Sequence, residues 1–333
     1  MPSQGNRLAE EHRDAQVALR ARFLTQFLPT LALLSWTRID ESYPSWVRAV
    51  MGILRPFRQA SADLAVDFYD RIRLVEAPSA PPPPRIEFVQ APETLPGPVR
   101  LDTGRNARLA GQLDTTGRPA SRDRQASQQV SRDADRERSK WADVPHFGEF
   151  KPAVLDWGDA DDRAERSLLV TGPSALKRAA RNGLDERRAR GVTTVLTSGA
   201  ASRHVLNGGR DTTMELIDAD DVAEGWIRML GPRPCAFCAM LASRGPVFSE
   251  SSIAGSDSGF DGPGNIKVHD NCACWPKAVF ESNPEWPGNN RAYQQMWNDN
   301  IRGRYSGKDA RNAWRRLWEA QQREAQRAAE QIA

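Results

Sequence analysis

The chain has 333 residues, 39% hydrophobic and 27% charged, with 46 Lys+Arg against 43 Asp+Glu for a net charge of +3. That length holds two or so folded units, and the charge balance is too even to argue for nucleic-acid binding by itself. The most apolar stretch, 23–36, is too short to cross a membrane, holds Thr25, Gln26, Pro29 and Thr30, and lies too far in for a signal peptide; the expectation is a protein made in a reducing cytosol with no membrane partner.

Residues 7–34 carry Ala15, Leu19, Phe23, Phe27 and Leu31 at i, i+4 spacing, which predicts an amphipathic helix that Pro29 kinks or interrupts. A second helix is predicted over 44–76, with Trp46, Val50, Ile53, Leu54, Phe57, Leu64, Phe68 and Ile72 on its stripe and Pro56 bending or splitting it. Together they make an N-terminal helical hairpin, residues 1–77, whose stripes bury against each other. Residues 78–165 read as a linker. Eight prolines fall in 78–98, the composition of a stiff spacer, and Ile86, Phe88 and Val89 suit a short edge strand. Residues 102–143 are rich in Arg, Asp, Gln and Ser and hold too little apolar surface to offset ordering entropy, so disorder or a solvated helix is expected. Their basic side chains allow weak contact with DNA phosphates, but mixed charge without interleaved aromatics argues against a dedicated nucleic-acid site.

Order returns between Trp157 and Ser167, and Thr171-Gly172-Pro173-Ser174 reads as a turn followed by a helix start. Helices are predicted at 174–182 and 185–206, the second packing through Val192, Val195, Leu196 and Ala200. Asn207-Gly208-Gly209 reads as its C-cap; the stretch through Thr212 lacks the glycine spacing and Lys of a phosphate loop. Strands are predicted at 214–217, 225–230 and 275–280, with a short turn at 239–243 and a Ser/Gly/Asp-rich loop at 249–264. The last segment, 291–333, is helical again, with Tyr293, Trp297, Ile301 and Tyr305 spaced by four and Ala310, Ala313, Trp314, Leu317 and Trp318 on one face. Those aromatics suit core or docking contacts better than base stacking.

All four cysteines lie between the second and third of those strands. Cys235 and Cys238 form a C-x2-C pair; thirty residues later comes H-x2-C-x-C, made of His269, Cys272 and Cys274. Thiolates and a neutral imidazole are the donors that tetrahedral zinc prefers, so these five residues are candidate ligands for four positions of a structural Zn2+, one of them left outside the tetrahedron. Two disulfides would need an oxidising compartment, and buried free thiols would need no partner at all.

The order Trp226, Cys235-x2-Cys238-x2-Leu241, Gly245-Pro246, His269-x2-Cys272-x-Cys274 and then an apolar run resembles the phage Mu F-like head morphogenesis family, and the CAFCAMLASRG wording is especially like versions from phages of actinobacteria. The resemblance covers about residues 166–290. It departs from the family at Gly231–Pro234, where many members carry an Asp before the first cysteine pair. What it implies is a minor capsid protein of the virion, present in few copies in the capsid interior or portal region. Such a protein acts in capsid assembly and in DNA packaging or ejection, with portal, major capsid and scaffold proteins as partners. Related phage proteins are capsid maturation proteases, which is the rival reading.

The residues themselves offer little catalysis. A cysteine hydrolase would pair Cys235 or Cys238 with His269, the same atoms a metal would take. His12, His146 and His204 have no recognisable serine context, and G-x-S-x-G is absent. A nuclease of ββα type would need a second histidine at helical spacing after His269, and none follows. No catalytic residue is assigned. The expected fold is mostly α, with a small α+β metal-stapled core at 166–290 between the N-terminal hairpin with its linker and the C-terminal helices at 291–333.

Overall fold

The structure is a computed structural model that describes residues 3–89, 153–231, 234–248 and 268–332. The polar stretch at 102–143, the loop expected at 249–264 and His146 lie outside them. Within the described residues the chain is mostly α with a small α+β part.

Helix α1 (Gln4–Phe27) starts where the Ser3 hydroxyl accepts a hydrogen bond from the Asn6 N–H. Its buried face runs through Ala9, His12, Gln16, Leu19, Phe23 and Phe27, so it includes two polar residues that the apolar stripe did not predict. Gln16 answers its burial by bonding both the Ser61 hydroxyl and the Ser61 carbonyl. At Leu28 the helix tightens into a 3-10 segment, Leu28–Leu33, with Pro29 in its first turn. Helix α2 (Ile39–Glu76) then runs as one helix through Pro44 and Pro56. Each interior proline costs about 3 kcal/mol; a stripe of fully buried side chains, among them Trp46, Val50, Leu54, Ala65, Tyr69 and Ile72, keeps the helix whole.

After α2, β1 (Ile86–Val89) pairs in parallel with β2 (Ala153–Asp156). The Asp156 carboxylate caps α3 (Trp157–Thr171), and Trp157 stacks on Phe88. Gly172 separates α3 from α4 (Pro173–Arg181), as the turn-and-start reading expected.

The long helix α5 (Glu186–Ala219) corrects three readings. Gly208 and Gly209 lie inside it and end nothing. A Cβ at Gly208 would run into the Arg58 carbonyl, and one at Gly209 into the Ser61 carbonyl and the Trp275 ring, so these glycines let α2 and α5 approach backbone to backbone. Residues 214–217 are helical too, with Met214, Leu216 and Ile217 packed against Tyr69, Trp226 and Ala278; a three-residue apolar run does not tell strand from buried helix. In the first half of α5, Val192, Val195 and Leu196 face outward while Ala189, Ala200 and Ala201 are buried, because the closest packing goes to the small side chains.

Beyond α5 lies a three-stranded antiparallel sheet, order β4-β3-β5, made of β3 (Gly225–Met229), α6 (Ala236–Ala242) as a crossover, β4 (Val247–Phe248) and β5 (Trp275–Val279). Residues 239–243, expected as a turn, belong mostly to α6. Gly225 pairs with Val279 and Met229 with Trp275, and every residue of β3 and β5 is buried. Lys277 on β5 is answered by Glu76 at the end of α2, 2.7 Å away. Arg73 of α2 similarly forks onto Asp220, which also accepts from the Tyr69 hydroxyl. Helices α7 (Asn290–Asn300) and α8 (Gly307–Ile332) close on α6 through Tyr293, Trp297, Trp314 and Trp318, and the Trp314 indole donates to the Ala236 carbonyl at 2.7 Å. Phe23, Trp46, Leu54, Ala189 and Val205 share one cluster, so the N-terminal helices and the long helix of the central segment bury against each other in a single compact unit.

Candidate metal centre

Two short pieces of chain meet at the open end of the sheet. The first follows β3: Cys235 is the N-cap of α6, its sulfur accepting the Cys238 N–H at 3.3 Å, which places the Cys235 and Cys238 sulfurs on one side of the first turn. The second precedes β5. The Cys272 N–H closes a turn on the His269 carbonyl, Asn271 sits at a left-handed φ of 64°, and the Cys274 N–H donates to the Cys272 sulfur. β3 and β5 are hydrogen-bonded neighbours, so their register brings the two pieces face to face. Leu230 and Val268 pack against the sulfurs.

All five predicted ligands come together. They form two overlapping triads, Cys235–Cys238–His269 and Cys238–Cys272–Cys274, with ligand atoms within 4.8 Å of one another in each. Cys238 belongs to both. Its sulfur lies 3.6 Å from His269 Nε2 and 3.5 Å from the Cys272 sulfur, close to the ~3.6–3.8 Å edges of a tetrahedron with zinc-like bond lengths. Cys235 and His269 Nε2 are closer, at 2.8 Å. The His269 Nδ1 lies 2.6 Å from the Asp270 carbonyl. A carbonyl only accepts, so Nδ1 carries the proton and Nε2 turns its lone pair to the sulfurs, the tautomer a metal requires. Cys238, Cys272 and Cys274 are buried and all four cysteines are free thiols.

The electrostatics are those of a shared-proton cluster. Hydrogen bonding with Cys238 lowers Cys235 to about 5 and drives Cys272 down, while Cys238, bonded to both sulfurs, is raised. Burial pulls His269 down, but the Asp270 carbonyl and the Cys235 sulfur outweigh it and the net shift is upward. Thiolates and a lone-pair imidazole converging on one point can hold a soft or borderline metal ion.

Sequence reasoning missed what holds the second piece in place. Arg20 of α1 donates to the Asn271 side chain at 2.8 Å, and Arg203 of α5 pairs with Asp270 at 2.8 Å. Arg210 of α5, fully buried, donates to the Cys274 carbonyl at 3.0 Å, to the Cys272 carbonyl at 2.6 Å and to the Asn207 side chain at 3.0 Å. Nothing in the local pattern marks these arginines. The other described histidines stay away from the centre. His12 stacks on Phe68 and meets Trp275 edge-on, and His204 is buried beside Arg203.

A family model described as VG15 protein matches residues 4–149 and 173–300. The matched spans take in α1, α2, α5, the three-stranded sheet and all five Cys/His residues. No curated protein and no solved structure matches the chain.

Proposed function

The chain belongs to the VG15 protein family, a viral gene family, and from that premise we propose that it is a phage minor head protein of Mu F-like type, acting in capsid assembly and in DNA packaging or ejection at the portal. The observation that carries this reading is the extent of the family match, which takes in both the N-terminal helices and the cysteine centre. The motif order around Cys235–Cys274 supports the same assignment. No helix among the described residues is long and apolar enough to cross a membrane, which suits a particle protein. The centre is a structural zinc site held by four of Cys235, Cys238, His269, Cys272 and Cys274. A zinc ion there ties the end of β3, the start of α6 and the turn before β5 together and contributes folding free energy. The helical parts meet portal, scaffold or capsid subunits.

The particle test is quantitative mass spectrometry of purified virions, including the chain ends of every head protein. Intact copies of this chain, few per particle, beside unprocessed capsid subunits are expected. Its absence from mature particles that hold truncated capsid subunits would sink the assignment. The site test is Cys238→Ser. Removing the sulfur common to both triads is expected to abolish stoichiometric zinc and to lower the thermal midpoint as far as strong chelation lowers that of the wild-type chain. A variant with normal stability in the presence of chelator would exclude a structural metal.

One contact favours a second reading, a capsid maturation protease. Cys235 lies at a helix N-terminus with a thiol lowered to about 5 and His269 Nε2 at 2.8 Å, the elements of a nucleophile and base. Against it stands the second sulfur, Cys238, 3.6 Å from the same nitrogen. Cys235→Ser separates the two: capsid processing that stops while zinc content holds would favour the hydrolase.

A further inference from the structure

We infer that Arg210 is the counter-charge and positioning residue of the metal centre, so that the centre carries a net negative charge when loaded. The inference rests on the zinc reading above and deepens it.

Arg210 is 0% exposed, among the largest wholly buried side chains of the described residues. A buried guanidinium is normally paired with a carboxylate, because an uncompensated charge in the interior costs several kcal/mol. Two other buried arginines follow that rule, Arg58 on Asp161 and Arg73 on Asp220. Among the described residues Arg210 forms no ion pair. Its donors go to two carbonyls and one amide oxygen, and its guanidinium lies 5.5 Å from the Trp275 ring centre. The two carbonyls are those of Cys272 and Cys274. Asp211, the next residue of α5, bears on Arg210 electrostatically but forms no ion pair with it; the fork itself faces the turn, whose sulfurs supply the anion.

The charge count agrees. Four thiolates on a divalent ion sum to −2, and three thiolates with a neutral imidazole sum to −1; either set leaves a buried anion that needs a cation. Arg210 supplies one, and its planar fork, holding the carbonyls on both sides of Ala273, sets the spacing of the two sulfurs that follow from them. On this turn Arg20 and Arg203 contact Asn271 and Asp270, not the sulfur-bearing residues, and both are partly exposed, so water screens them more. Through Arg210, α5 holds the two sulfur-bearing residues directly, which links metal loading to the helix that packs on α2.

The test uses the full chain with zinc affinity measured by competition against a chromophoric chelator, and with cobalt as a spectroscopic substitute. Arg210→Met is expected to weaken zinc by about tenfold or more, the usual range for losing a residue that supports a ligand. It should also move the thiolate-to-cobalt charge-transfer band to lower energy, since the sulfur electrons lose a neighbouring cation. A purely structural role would not move that band. Arg210→Lys keeps the charge and is expected to hold the band position and to lose less than tenfold. Should Arg210→Met not fold, the Lys variant decides: a displaced band or a loss of tenfold or more overturns the inference. So does an Arg210→Met chain that binds zinc less than tenfold more weakly than wild type, or leaves the band where it was. A wild-type chain that binds neither ion overturns the metal centre itself, an outcome distinct from failure of the Arg210 role alone.

Discussion

At the scale of single residues the buried titratable groups set a pH response separate from the metal centre. Burial lowers both His12 and His204 from 6.5 to about 3. Each stays neutral in the folded chain while the unfolded chain takes up a proton, so each contributes stability that is fully present above pH 6.5 and is lost as pH falls toward 3, about 1.4 kcal/mol per pH unit. Asp211 works the other way. Burial raises it to about 6, so the folded chain keeps its proton longer, and between pH 3.8 and 6 it offsets roughly one of the two histidines. His12→Phe isolates one term, since a phenyl ring suits the slot between Phe68 and Trp275. Urea unfolding at pH 7 and pH 5 is expected to show the wild-type chain losing about 2 kcal/mol more than the variant over that interval. Equal losses would show that His12 does not titrate in the unfolding transition.

At the scale of elements the decisive contact is α2 against α5, and it depends on two side chains that are not there. Alanine at Gly208 or Gly209 puts a methyl group into a carbonyl of α2, where no flexible side chain can move aside. Either substitution is expected to destabilise the chain by about 2–3 kcal/mol through overpacking. Gly191 is the control on the same helix. It is exposed with nothing near its absent Cβ, and Gly191→Ala is expected to stabilise by about 0.5–1 kcal/mol through helix propensity alone. Thermal or denaturant melts of the three variants check both signs. If all three behaved alike, helix propensity and not close approach would govern this helix. Polar pairs buried along α2, Gln16 of α1 with Ser61 and Arg73 with Asp220, show why binary pattern misplaces such a helix: burial there is met by hydrogen bonds and not by apolarity.

For the whole molecule, the C-terminal helix marks where the packed unit stops. Trp314 and Trp318 are buried against α6 and α7, whereas residues 319–327 are exposed. Truncation after Ala320 is therefore expected to shift the thermal midpoint by no more than about 2 °C, while Trp314→Ala should cost about 3–5 kcal/mol by emptying the cluster that backs the metal-bearing helix. Differential scanning calorimetry of the two variants checks this, and a large loss on truncation would show that the last three turns belong to the fold. Because α6 is both the seat of Cys235 and Cys238 and the surface on which α7 and α8 close, the centre, the sheet and the C-terminal helices are expected to unfold together.

Much of this protein was legible in the chain order alone. The i, i+4 stripes gave α1, α2 and α8, the Gly172-Pro173 punctuation gave the start of α4, and the spacing of Cys235, Cys238, His269, Cys272 and Cys274 marked the centre before any geometry was known, because turns, periodicity and ligand chemistry are local. Three things were not local. The Gly208-Gly209 pair reads as a helix end unless α2 is seen lying across it; Met214–Ile217 reads as a strand unless Tyr69 and Trp226 are seen beside it; and Arg210 reads as an ordinary surface charge unless the Cys272 and Cys274 carbonyls are seen in its fork. In each case at least one deciding partner lies tens of residues or more away along the chain, and only tertiary packing fixes which backbone a missing Cβ must make room for and which buried charge another must answer.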